Sequence, residues 1–251
     1  MGFDAGAAAY DRFMGRFSGP LADLFVDALG VRPTDRVLDV GSGPGALTAR
    51  LIGRVGADRV AAVDPTPAFV AAVADRCPGV DVRRGVAEDL PFGDAGFDVV
   101  AAQLVVHFMT DPVAGVREMR RVTRPGGTVG ACVWDHRDRG PLTTFWRAAR
   151  ALSPGLAGED RLAGVRRGHL AALFAAAGVE CVEDGELTVS LAFASFDDWW
   201  EPFTLGVGPA GEHVAGLGAG GREELRARCA AALGEPPFDV AATAWCVRGR
   251  A

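Results

Sequence analysis

A chain of 251 residues that is 49% hydrophobic can bury a full core, and the length suits one α/β domain carrying an insertion. The formal charge is −6 and the arginines are scattered, which argues against a nucleic-acid or anionic-membrane surface. All 26 basic residues are arginine, so a P-loop Gly-Lys, a Schiff-base lysine and the Tyr-Lys pair of short-chain dehydrogenases are excluded.

The N-terminus lacks a basic region followed by an apolar run, so no signal peptide is expected. No apolar stretch approaches the ~20 residues of a membrane span. Cys77, Cys132, Cys181, Cys229 and Cys246 are far apart and odd in number. They read as free thiols of a reducing cytoplasm, with no CxxC redox or metal site.

In chain order, Tyr10–Ser18 and Leu21–Leu29 have helical character and a break is expected near Gly19-Pro20. The second carries apolar residues at 21, 24, 25, 28 and 29, a stripe that packs on a sheet. The first offers Tyr10, Phe13, Met14 and Phe17, either as core or as a lid over a ligand. Val37–Val40 is a short run rich in β-branched residues, long enough for a buried parallel strand. Gly41, Gly43 and Gly45 follow, and Ala46–Ile52 resumes with helical spacing. Strand, glycine turn and helix form the nucleotide-binding corner of a doubly wound sheet. Gly41-x-Gly43-x-x-Ala46 also satisfies the dinucleotide pattern, so the glycines alone leave two cofactors open.

The acid inside the strand narrows the choice. Asp39-x-Gly41-x-Gly43-x-Gly45 resembles the first motif of the class I S-adenosylmethionine (SAM) methyltransferases. The resemblance implies that Asp39 helps hold the amino end of the cofactor's methionine, with Ser42 and the glycine backbone packed on it. Arg59–Asp64 reads as a second strand ending in an acid, 25 residues after Asp39. Asp64 at that strand end suits the ribose hydroxyls, with Pro65 and Thr66 beside it, unless it caps the helix from Pro67 to about Arg76. Val80–Arg84 is a third strand. Ala87-Glu88-x-Leu90-Pro91-Phe92, a turn and Phe97-Asp98-Val99-Val100 resemble the adenine-side loop and fourth strand of the type 11 small-molecule methyltransferases. That match implies Ala87 and Glu88 beside the adenine, and Val86 stands where the family usually has Asp. The leader Tyr10–Ser18 is also similar to one in a branch of these enzymes, which favours the lid.

The fourth strand is expected to run on through Gln103, Leu104 and His107, placing its end on the ligand face of the sheet. A helix from Asp111 to Val122 precedes a fifth strand, Thr128–Trp134. Beyond it, Gly140–Leu152 and Gly168–Val179 have helical spacing, and Val179–Phe193 is a sixth strand with a bulge expected at Gly185. An insertion of about residues 195–235 contains Trp199, Trp200 and a Gly-rich stretch, before a last strand at Ala241–Arg248. The resemblance implies a Rossmann-like α/β sheet of order 3-2-1-4-5-7-6 with the last strand antiparallel. The expected organisation is helices or lid (1–34), cofactor core (35–134) and a substrate-side half (135–251).

The implied chemistry is methyl transfer from SAM to a small acceptor, leaving S-adenosylhomocysteine (SAH). His107 is the candidate general base, unless it only packs on the cofactor. Phe13, Phe17, Trp134, His136, Trp199 and Trp200 are candidates for the acceptor side, whose apolar character leans toward a quinone-like or other secondary-metabolism substrate. His169 and His213 read as a helix start and a solvated loop. No metal, nucleic acid or membrane partner is expected, and the chain is taken as a monomer or homodimer. Two other readings stay open: a SAM-fold protein without methyl transfer, and an NAD-type oxidoreductase.

Overall fold

The computed structural model describes residues 7–251, so the start of the expected N-terminal lid, residues 1–6, lies outside the described residues. Strands β1 (Val37–Val40), β2 (Val60–Asp64), β3 (Asp81–Arg84), β4 (Phe97–Gln103), β5 (Thr123–Trp134), β6 (Glu180–Phe193) and β7 (Phe238–Arg250) form one sheet. Its order is 3-2-1-4-5-7-6, as expected. The first five strands are parallel, and β7 lies antiparallel between β5 and β6. The central strands are continuous apolar runs because helices cover both their faces. Successive side chains divide between those faces: Val37, Val99 and Ala101 enter one core, and Leu38, Val100 and Ala102 the other. Edge strands β3 and β6 carry Asp81, Arg83, Arg84, Glu183 and Glu186, charges that discourage further strand pairing.

The helices are α1 (Ala7–Tyr10), α2 (Arg16–Leu29), α3 (Ala46–Val55), α4 (Pro67–Arg76), α5 (Pro112–Val122), α6 (Thr143–Leu152), α7 (His169–Ala176), α8 (Phe196–Trp200), α9 (Gly208–Gly216) and α10 (Ala219–Leu233). One core joins α2, α3, α6 and α8–α10, and the other α5 and α7. Asp111 caps α5, its Oδ1 accepting from the Val113 and Ala114 N–H groups. Helices α8–α10 all fall between β6 and β7. Among the described residues no helix is long and apolar enough to cross a membrane.

Several local expectations are corrected. Helix α2 runs unbroken through Gly19-Pro20, and the irregularity is a π turn upstream, Asp11–Gly15. Pro20 lies just one turn into α2, where it removes a single bond, that to the Arg16 carbonyl. Strand β4 stops at Gln103, because Leu104 takes a left-handed φ of 61° and turns the chain into a short 3-10 segment, Val106–Phe108. The bulge in β6 falls between Glu180 and Glu183, where Cys181 has φ 49°, whereas Gly185 pairs regularly with Cys246. The Gly-rich stretch contains α9, which buries Ala210 and Val214 one turn apart. His213 therefore packs in a helix against Phe145 and Trp146 rather than in a solvated loop.

Candidate active site

The glycine loop after β1 owes its path to contact and conformation at two positions. Gly41 has φ 70°, and a Cβ there would lie 2.4 Å from Val105 Cγ2, so only glycine lets the loop reach the segment after β4. Gly43 has φ 53°, and nothing lies within 4 Å of where its Cβ would be. Bare backbone at Gly43 thus faces open space. Its N–H donates to Asp64 Oδ2 at 2.9 Å, and the Thr66 N–H donates to Asp64 Oδ1 at 2.8 Å. Asp64 clamps the two turns together while each of its oxygens keeps a further lone pair.

These strand ends wall a cavity of about 420 Å³. Asp39, Gly41, Ser42 and Gly43 line it from β1, and Asp64, Pro65 and Thr66 from β2. Gln103 at the end of β4 and Leu104 just after it close the cavity, with Tyr10 from the N-terminal segment. Gly45 is not in the lining; it turns the loop with φ 99° and backs onto Val73. Ala87 and Glu88 are not in the lining either. Glu88 Oε1 accepts from the Thr110 and Asp111 N–H groups, tying its loop to the start of α5, and Ala87 joins the apolar packing beneath. Sequence reasoning passed over Ser18, Phe69 and Phe108, which do line the cavity, and Thr48, which holds Asp39.

The polar groups of this cavity call for a ligand rich in donors and carrying positive charge. Asp39 is 1% exposed and accepts from Thr48 Oγ1 at 2.6 Å. Burial pushes its carboxyl up to about 7 against the Thr48 bond, and Asp64 adds to the rise. Burial also raises Asp64, opposed by its backbone bonds from Thr66 and Gly43. Gln103 Nε2 donates to the Ser18 carbonyl at 3.0 Å, while its Oε1 is buried without a partner. An ammonium and a ribose diol would satisfy these acceptors. The residues present fit SAM.

A second, smaller cavity of about 40 Å³ adjoins the first, and Tyr10, Leu104 and Phe108 line both. Phe13 and Met14 roof it from the π turn, and His107, Trp134, His136 and Glu159 supply its polar atoms. Val207–Ala210 close it from the insertion. Phe17, Trp199 and Trp200 lie outside its lining. Phe17 packs edge-on to Trp134 at 6.4 Å, and both Trp199 and Trp200 pack on Phe203. Ion pairs strap the N-terminal segment across the two cavities, Asp11 to Arg76 on one side and Arg12 to Glu201 on the other.

His107 and His136 face each other with ring centroids 5.3 Å apart. Burial drives the His107 pKa well below the usual histidine value, and His136 pushes it the same way. Burial lowers His136 too, but Glu159, Asp135 and Asp160 oppose the fall. His136 Nδ1 lies 3.8 Å from Glu159 Oε2, and that oxygen accepts from Trp146 Nε1 at 3.0 Å. Glu159 carried no sequence signal, since it lies outside any motif in an irregular stretch. His169 opens α7 and accepts from the Gly164 N–H.

The sheet order and the acid–glycine corner are those of the class I SAM-dependent methyltransferases. Residues 38–130 match the family described as "Methyltransferase domain". An uncharacterized methyltransferase of Mycobacterium tuberculosis is 38% identical over 138 residues, 55% of this chain and 54% of that protein. Demethylmenaquinone methyltransferase of Renibacterium salmoninarum is 35% identical over 123 residues, 49% of this chain and 51% of that protein. The chain thus spans about half the length of these curated relatives. The crystal structure of YcgJ protein from Bacillus subtilis superposes with a TM-score of 0.58 over 94% of this chain and 98% of that one. At 20% identity that likeness shows the fold.

Proposed function

We propose that this chain transfers a methyl group from SAM to a small, largely apolar acceptor, releasing SAH. The observation that carries the reading is the pair of joined chambers, one polar with two buried acids, the other apolar with two histidines. A donor and an acceptor held in adjoining chambers meet at the shared wall of Tyr10, Leu104 and Phe108. When bound, SAM supplies a methyl on a sulfonium that leaves as a neutral thioether, so the protein has little acid catalysis to provide on the donor side. Asp39 holds the ammonium, Asp64 the ribose diol, and the Gly43 backbone gives the methionine moiety room. Alignment of this kind is worth ~7–11 kcal/mol of barrier. The roof of Phe13 and Met14 excludes water from the junction.

The acceptor chamber is lined by Phe13, Met14, Leu142 and Val207, which favours a ring-bearing or otherwise apolar acceptor over a sugar. The relative named for demethylmenaquinone points toward the same class. Four of the five free cysteines are buried and Cys181 is exposed, which supports a reducing, cytoplasmic setting. Calorimetry with SAM and SAH tests the cofactor half. Incubation with methyl-labelled SAM and a panel of acceptors tests the transfer, and SAH binding with no label transferred would favour a SAM-fold protein of another activity.

A further inference from the structure

Six buried side-chain polar atoms lack a partner among the described residues, and four of them surround the smaller chamber: His107 Nδ1, Trp134 Nε1 and both ring nitrogens of His136. An unsatisfied buried polar group costs about 1–3 kcal/mol. Such a cluster inside an apolar lining is the form of a site that a ligand completes. A space of about 40 Å³ is far smaller than a ring-bearing acceptor, so the roof must lift to admit one.

The chemistry of these atoms selects the ligand. Trp134 Nε1 is a donor only, so it requires an oxygen or nitrogen lone pair on the ligand. An ammonium has none. Neutral His136 accepts through one nitrogen, so it requires a proton on the ligand. One atom that both accepts and donates is a hydroxyl oxygen. A base whose protonation is disfavoured by burial takes protons only from an acidic hydroxyl.

We propose that His136, backed by Glu159, takes the proton from an acceptor bearing a phenolic or enolic hydroxyl on an apolar framework. The proposal rests on the methyl-transfer reading above. The hydroxyl proton passes to His136 Nε2, and the new imidazolium turns its Nδ1–H toward Glu159. An oxygen electron pair forms the bond to the methyl carbon as the carbon–sulfur pair stays on sulfur, giving a methyl ether and SAH. His136 then returns its proton to solvent. Trp134 Nε1 donates to the oxygen as negative charge gathers there. Glu159 is a positioning residue. Its 3.8 Å separation from His136 exceeds a hydrogen bond and closes with a small shift, while Trp146 holds the carboxylate in place. His107 is the weaker base, because burial and His136 both disfavour its protonation. The other ionisable groups near His136 are Asp135 beside it, Asp160 next to Glu159, and Tyr10 on the chamber wall.

The test uses the full chain saturated with SAH and 4-nitrophenol as the probe, reading the phenolate band against pH. The parent should lower the apparent pKa of the bound probe by about one unit or more. His136→Asn should abolish that shift with SAH affinity retained. Glu159→Gln still accepts from Trp146, and should remove at least half of the shift and move the acidic limb of the kcat/KM profile. A bound probe that ionises alike in parent and His136→Asn overturns the dyad. So does a parent that binds SAH but takes up no probe. Failure to bind SAH overturns the methyl-transfer reading, and the dyad with it.

Discussion

The two chambers are built from different materials. Main chain at the ends of β1 and β2 shapes the larger one: Gly43 faces it bare, and the Gly43 and Thr66 N–H groups fix Asp64. Side chains gathered from five separate stretches make the smaller one: the π turn, the segments after β4 and β5, Glu159 and the start of α9. Backbone geometry ties the first chamber to a short motif in the sequence. The second is set by side chains that nothing in the motif constrains, which on the proposed methyl-transfer reading leaves the acceptor free to differ.

Substitutions separate the two, beginning with the core on which the N-terminal segment packs. Phe17 is 6% exposed and packs against Trp134 and Phe193, so Phe17→Ala should cost about 3–5 kcal/mol in denaturant unfolding. A loss below about 1 kcal/mol would make the N-terminal segment a separable roof rather than shared core. On the polar side, Asp64→Ala should weaken SAM and SAH by tenfold or more, ~1.5–3 kcal/mol by calorimetry. Unchanged affinity in a folded variant removes Asp64 from the site.

Asp39 gives a pH-dependent effect. Its carboxyl is pushed up to about 7, so the unliganded protein loses stability as pH rises from the ordinary carboxylate range through about 7. A ligand ammonium prefers the ionised form, and SAM affinity should rise over the same window by up to about tenfold per pH unit. Asp39→Asn should flatten both trends, and a pH-independent parent would put the ammonium elsewhere. The smallest effect falls on the second histidine. His107→Asn should lower kcat by less than about tenfold, against about a hundredfold for His136→Asn. The reverse order would exchange their roles.

The polar chamber was legible because glycine φ requirements and strand-end acids leave marks in a few adjacent residues, whereas the order of the sheet was implied by the resemblance those motifs carry. Asp39, Asp64 and Gln103 all line the cavity. Glu88 shows where the motif misleads, since its carboxylate is turned to the Thr110 and Asp111 N–H groups in this structure. Glu159 and the helical placing of His213 were hidden, because each depends on packing between segments distant in sequence. The path through Pro20 was misread because a proline inside a helix is costly, and here the buried stripe of Leu21, Phe25 and Leu29 outweighs the bond it removes.

Tyr10 is the one tyrosine of the chain, and it stands edge-on to Phe69 where the two chambers meet. Burial, with Asp11 and Asp64 adding, pushes its phenol up to about 12, whereas a tyrosine released into water ionises near its ordinary value of 10.0. Hydroxide therefore acts as a lever on the junction. Between those limits each pH unit favours the swung-out side chain by about 1.4 kcal/mol. No second tyrosine obscures the signal, so the ultraviolet band of tyrosinate gauges how often the wall stands open. A bound nucleoside that braces the wall would carry the midpoint of that band to still more alkaline solution.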